Sequence, residues 1–162
     1  MAAETGESFA AVAFREDGVW QVGLLPERLV EDLDGLIGAL RQQPGDIGSI
    51  GLVNVADEFF VALRVGGEEV RVLLSDVTAA VAWDLARQVL DRLELGMPGE
   101  SDLDEVWPAG DLSIFDDLGL DELEVASVLA DLDAYADEML AAIAGRLGFG
   151  EAFERALDAA VR

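Results

Sequence analysis

The sequence predicts an α+β fold, a five-stranded antiparallel sheet packed with helices and followed by a C-terminal helical segment. Three observations carry this. Ser49 to Asp76 reads as three consecutive strands of an antiparallel meander, with Ile50, Leu52, Val53 and Val55 in the first, Phe59 to Val65 the second and Val70 to Leu74 the third. Each is rich in β-branched or aromatic residues. Stretches on either side of the meander, Glu27 to Gln42 and Val77 to Leu95, carry apolar residues at helical spacing instead. The C-terminal third is helical throughout. The middle strand is apolar on both sides, at Phe59, Phe60, Val61, Ala62 and Leu63, so neither face of the sheet can be left to water and something must cover each.

In chain order, Phe9 to Arg15 and Val19 to Leu25 flank Glu16-Asp17-Gly18, where Asp-Gly is a short hairpin signal. Pro26 ends the second strand. Glu27 to Gln42 then places Leu29, Leu33, Leu36 and Leu40 on one helical stripe, with Val30 and Ile37 beside it. Gly35 and Gly38 each weaken that helix by up to about 1 kcal/mol relative to Ala, a cost easier to explain if another backbone packs closely against that face. Gln43-Pro44-Gly45-Asp46 closes it. Within the meander, Ala56-Asp57 and Gly66-Gly67 are the turns, the latter because Gly accepts positive φ without steric cost.

After the meander, Ser75 or Asp76 can cap a helix from Val77 to about Leu95. Val81, Leu85 and Val89 form one stripe of it, and Trp83, Ala86, Leu90 and Leu93 another. Two stripes imply two packing partners, the sheet and either the C-terminal helices or a second copy of the chain. The resulting order, ββαβββα, resembles that of roadblock and longin domains, in which helices sandwich a five-stranded antiparallel sheet that serves as a platform for protein association. This is a likeness of element order, without a shared motif.

Composition shifts divide the chain into an α+β sheet domain (1–95), an acidic Pro/Gly linker (96–110) and a C-terminal helical region (111–162). Trp107 stands out in the linker, either tucked back onto its own domain or anchoring a partner. Asp121 with Glu124 makes a capping box, and Val125, Val128, Leu129 and Leu132 follow on one helix face. A second helix, about Ala136 to Leu147, presents Met139, Leu140, Ile143 and Leu147 before Gly148 stops it. A third runs from Gly150 or Glu151 to about Val161 with Phe153 and Leu157. Such short helices bury little alone, so they are expected to pack on one another and partly on the sheet.

The 162 residues are 52% apolar, enough for a real core in one domain or one domain with an appendage. Neither a basic leader nor a run of about 18 apolar residues is present, so a cytoplasmic protein without a membrane span is expected. The chain has no Cys, His or Lys; all ten basic residues are arginine. The usual general base, zinc ligands and Schiff-base amine are therefore missing. No catalytic, cofactor or metal residues are assigned. Acidic pairs such as Asp32 with Asp34 and Asp131 with Asp133 are uninformative among 34 acids. A calcium loop starting at Asp102 or Asp32 puts Val106 or Leu36 at its fifth, ligating position. Gly96-Met97-Pro98-Gly99 lacks the Lys of a phosphate loop.

Net charge is −24, and from Glu100 to Glu138 there are 14 acids and no base. Such a field repels phosphate, so direct nucleic-acid binding is not expected and an arginine-rich protein surface is the natural partner.

Several stretches stand out together: Phe14-Arg15-Glu16-Asp17-Gly18-x-Trp20, Glu31 to Leu36, Leu40 to Gly45, Asp57-Glu58-Phe59-Phe60-Val61, Leu73 to Ala80, Pro108 to Leu112, Asp117 to Leu120 and Arg146 to Gly150. Spread over nearly the whole chain, they resemble the actinobacterial tRNA adenosine deaminase-associated protein family. The resemblance implies association with an enzyme that converts adenosine to inosine in tRNA, and it supplies no catalytic residues. A zinc deaminase needs His-x-Glu and Pro-Cys-x-x-Cys, so this chain is not itself that enzyme. The leading expectation is a non-catalytic, acidic protein-binding protein with such a deaminase as partner. The residues expected to meet that partner are Asp102, Asp104, Glu105, Trp107, Asp116 and Asp117. The alternative is a self-associating scaffold of roadblock or longin type, a homodimer that binds a small GTPase or another regulator.

Overall fold

A computed structural model of the chain describes residues 8–45, 48–66, 68–99, 107–131 and 133–161. Its centre is the predicted meander, β3 (Ser49–Val55), β4 (Phe59–Gly66) and β5 (Glu69–Leu74), extended on one side by the hairpin β1 (Phe9–Glu16) and β2 (Val19–Leu24). Every pairing is antiparallel, in the order β2-β1-β3-β4-β5-β6. Six strands, not the expected five, make up the sheet. The sixth, β6 (Ala109–Gly110), places Ala109 opposite Leu74 and Gly110 opposite Leu73. Two residues carry no readable period, and these sat at the end of a Pro/Gly-rich stretch. Their signal is steric: Gly110 has φ +107°, and a Cβ there would lie 2.2 Å from the Val72 carbonyl oxygen. Only glycine lies this close to β5.

Turns follow local chemistry. Asp17 (φ 52°) and Gly18 (φ 79°) both take the left-handed conformations of a type I′ turn, whose twist suits the flanking strands. Ala56 (φ 52°) and Asp57 (φ 59°) do the same between β3 and β4. Alanine is costly there, and hydrogen bonds hold the turn: Ala56 N donates to Ser8 Oγ (3.0 Å) and Asn54 Nδ2 to Asp57 Oδ1 (2.8 Å). Gly67, assigned to the next turn, lies outside the described residues.

The two predicted long helices are each broken. Glu27–Glu31 forms a 3₁₀ turn, and Asp32 then caps α1 (Leu33–Arg41) by accepting from Gly35 N at 3.0 Å. That cap accounts for Gly35, where a Cβ would sit 2.6 Å from Asp32 Oδ2; nothing lies within 4 Å of one at Gly38. The tight contact between α1 and the sheet is made by a side chain and not by a backbone at those glycines: a Cβ at Gly51 of β3 would meet Leu40 Cδ1 at 2.9 Å. Val77–Val81 is likewise a 3₁₀ turn, with Asp76 Oδ1 accepting from Thr78 N (3.0 Å) and Thr78 Oγ1 (2.6 Å), and α2 (Asp84–Arg92) begins afresh. Side-chain acceptors of this kind compete with helix propagation.

Both faces of the sheet are covered. On the first, Val30, Leu36 and Leu40 with Leu85 and Val89 pack on Val53, Val61, Leu63 and Leu74. Gln88 of α2 fastens this layer, accepting from Leu33 N (2.8 Å) and donating to Glu31 O (2.8 Å). On the second, the segment after β6 and the helices α3 (Glu122–Leu129), α4 (Ala136–Leu147) and α5 (Gly150–Val161) pack on Ile50, Leu52, Phe60, Ala62 and Leu73. The C-terminal helices therefore dock on the sheet, giving three layers, helix, sheet and helix. All of β3 and Phe59 to Val65 of β4 are consequently buried. The Asp121–Glu124 capping box forms in both directions, and α4 ends at Gly148 (φ +102°). Leu132 lies outside the described residues.

Candidate functional site

The antiparallel register brings four distant segments to one end of the sheet. The β3–β4 turn carries Asp57 and Glu58, and Ser75 and Asp76 follow β5 beside it, with Ser75 N donating to Phe60 O at 3.0 Å. Trp107, on its way into β6, accepts at its carbonyl from Val77 N (2.8 Å). The start of α4 meets the turn where Ala136 N reaches Asp57 O at 3.4 Å. Between the β3–β4 turn, the end of β5 and the start of α4 lies a cleft of about 220 Å³ lined by Asp57, Glu58, Phe59, Ser75, Asp76, Leu129, Ala134, Tyr135, Ala136 and Met139. Tyr135 is 67% exposed and Trp107 38%.

Negative charge accumulates at this end. Asp137 and Glu138 occupy the first turn of α4, where Glu138 Oε1 accepts from Tyr135 N at 2.8 Å. Burial, and then the charge of Asp57, push the Asp137 carboxyl above the ordinary aspartate range. The ion pairs found among the described residues join Arg64 to Asp117, Arg71 to Asp111, Arg87 to Asp84, Arg146 to Glu124 and Arg155 to Glu151. None of these arginines pairs with Asp57, Glu58, Asp76 or Asp137.

The residues singled out from sequence divide between places. Trp107 is at this end of the sheet. Asp102, Asp104 and Glu105 lie outside the described residues. Asp116 and Asp117 sit farther along the second face, where Arg64 of β4 stands directly opposite Arg71 of β5. Two like charges side by side are unfavourable, and the segment after β6 neutralises them. Asp117 grips Arg64 through both carboxylate oxygens, Arg64 Nη1 also donates to Ile114 O (3.1 Å), and Arg71 donates to Asp111 Oδ2 (2.6 Å) and Ser113 O (2.8 Å). The hydrogen bond from Arg64 holds the Asp117 carboxyl below its ordinary range. Asp117 is thus bound to a largely buried arginine, while Asp116 is exposed.

Sequence reasoning missed Asp57, Glu58, Asp76 and Tyr135 as neighbours, because only strand register and the docking of α4 bring them together. Among the described residues, no group of three or more carboxylates is arranged to hold a metal ion, and no helix is long and apolar enough to cross a membrane.

Comparison with known proteins agrees with the motif resemblance. Residues 8–150 match the family model described as Rv3753c-like tRNA adenosine deaminase-associated protein. The chain is 36% identical over 159 residues to Protein Rv3753c of Mycobacterium tuberculosis (strain ATCC 25618 / H37Rv), covering 97% of this chain and 91% of that protein. No solved structure matches, and the likeness to roadblock and longin domains rests on element order alone. On the match along most of its length, the chain belongs to the actinobacterial Rv3753c-like tRNA adenosine deaminase-associated protein family.

Proposed function

We propose that this protein is a non-catalytic, cytoplasmic accessory partner of a tRNA adenosine deaminase, and that it binds through the acidic end of its sheet. The family description, deaminase-associated, supports the choice of partner. Absence of His and Cys supports a role beside the enzyme and not as the enzyme, since neither the zinc nor its activated water could be held in the usual way. One observation carries the binding surface: Asp57, Glu58 and Asp76 line one cleft with exposed Tyr135, and no ion pair found among the described residues joins an arginine to them or to Asp137.

An enzyme that grips tRNA presents basic groups to phosphate, and an acidic surface of this kind complements them. Occupying that face would shield it from non-specific RNA. In this reading Asp102, Asp104 and Glu105 stay candidate partner contacts on the strength of the acidic sequence alone, and exposed Asp116 is a further candidate.

The test is a pull-down of the tagged protein from its native cytoplasm at low and at moderate salt, with mass spectrometry of what co-elutes. The reading expects the deaminase at low salt and its loss at moderate salt, because exposed charges are screened over about 8 Å at physiological ionic strength. Recovery of the bait alone, or of a small GTPase in place of the deaminase, overturns it and favours the self-associating scaffold.

A further inference from the structure

We propose that the cleft between the β3–β4 turn, the end of β5 and the start of α4 receives a single arginine side chain of the protein partner. This deepens the reading above, on which the identity of the partner rests. At about 220 Å³ the cleft is smaller than the roughly 300 Å³ at which sites for drug-sized ligands begin. A long side chain suits it better than a cofactor. Its lining combines apolar Leu129, Ala136 and Met139 with the carboxylates of Asp57, Glu58 and Asp76. That is the complement of arginine, which buries an aliphatic stem and keeps a charged planar head at the mouth.

Three features favour the head as a guanidinium. Asp57 and Asp76 are fixed in advance, the one by Asn54 (2.8 Å) and the other by Thr78 (3.0 and 2.6 Å). A carboxylate has about four acceptor positions, so both keep capacity for a forked donor while losing little freedom on binding. Tyr135, 67% exposed, supplies a ring at the mouth, and guanidinium groups stack on aromatic faces where the compact, strongly hydrated ammonium of lysine does so less well. The N-terminus of α4 would by itself prefer an anion, but Asp137 and Glu138 in its first turn offset that dipole.

The test compares nona-arginine and nona-lysine peptides, equal in charge, by fluorescence anisotropy with the full-length protein at one salt concentration. Wild type is set against Asp57→Asn/Glu58→Gln/Asp76→Asn, against Tyr135→Ala, and against a control neutralised in α5, Glu151→Gln/Glu154→Gln/Asp158→Asn. Circular dichroism verifies that each is folded. Wild type and control should bind the arginine peptide about tenfold more tightly than the lysine peptide, and both cleft variants should lose most of that preference. Equal binding of the two peptides by wild type, or the same preference in all four proteins, overturns the proposal. Retrieval of the deaminase separates the two readings. Capture by wild type and the cleft triple variant alike leaves the accessory role standing and removes the cleft from it. An arginine preference without any capture keeps the cleft and ends the deaminase reading.

Discussion

Truncating Ile143 tests whether the C-terminal helices belong to the same core as the sheet. Ile143 is fully buried in α4, in the layer that also holds Leu52, Phe60 and Phe115. Ile143→Ala removes three buried carbons, worth about 2.5 kcal/mol at ~0.8 kcal/mol each. The cavity left behind adds about 1 kcal/mol, for a total of about 3.5 kcal/mol. Against a typical total stability of about 5–15 kcal/mol this is a large loss, equivalent to a fall in Tm of about 7–14 °C for a chain of this size. The assay is urea unfolding followed by both far-ultraviolet circular dichroism and tryptophan fluorescence. Trp83 reports the first face, 6.3 Å from the Phe59 ring, and Trp20 the second, 4.7 Å from Phe149. One shared transition should move to lower urea with unchanged slope, and Leu36→Ala on the first face should move the same transition by about 3 kcal/mol. A loss below about 1 kcal/mol, or a second transition unaffected by Ile143→Ala, would refute the three-layer packing.

Other substitutions probe the charge arrangement and the sixth strand. Asp117→Asn weakens the hold on Arg64, whose side chain is 10% exposed; the 57% exposure of Asp117 keeps the expected loss near 1 kcal/mol. Because Arg64 lowers the folded pKa of Asp117, its contribution is present above the ordinary aspartate range and lost as pH falls through the folded value; wild type and variant should converge in acid. Asp137→Asn has the opposite sign, since the raised folded pKa means that stability present at low pH is lost as pH rises through it. The variant should melt above wild type at pH 7, with the gain fading below the aspartate range. Gly110→Ala sets a Cβ 2.2 Å from Val72 O at φ +107°, which should release β6, cost at least about 2 kcal/mol and speed amide exchange at Asp111, whose N–H now donates to Val72 O at 2.9 Å.

Legibility in the sequence follows the range of the interactions involved. The meander, the Asp17-Gly18 turn, the Asp121 capping box and the Gly148 stop depend on residues within a few positions of one another, and each was readable. The breaks at Asp32 and before α2 were not, because apolar spacing continues across them while a side-chain cap or a 3₁₀ turn resets the backbone. β6 has no period of its own and exists through its partner strand. Trp107 was legible as an aromatic in an acidic stretch. Asp57, Asp76 and Tyr135 were not legible as neighbours, since carboxylates are abundant and only the register of β3 to β5 and the seating of α4 place these beside one another.

The central claim, that an acidic sheet end binds a tRNA adenosine deaminase, is tested most directly with the two purified proteins. Isothermal titration at low and at physiological salt, for wild type and for Asp57→Asn/Glu58→Gln/Asp76→Asn, reads the contact without other cell components. The account predicts a complex that weakens steeply with salt and loses affinity in the triple variant. No binding at low salt, or binding indifferent to both salt and the three substitutions, would contradict it.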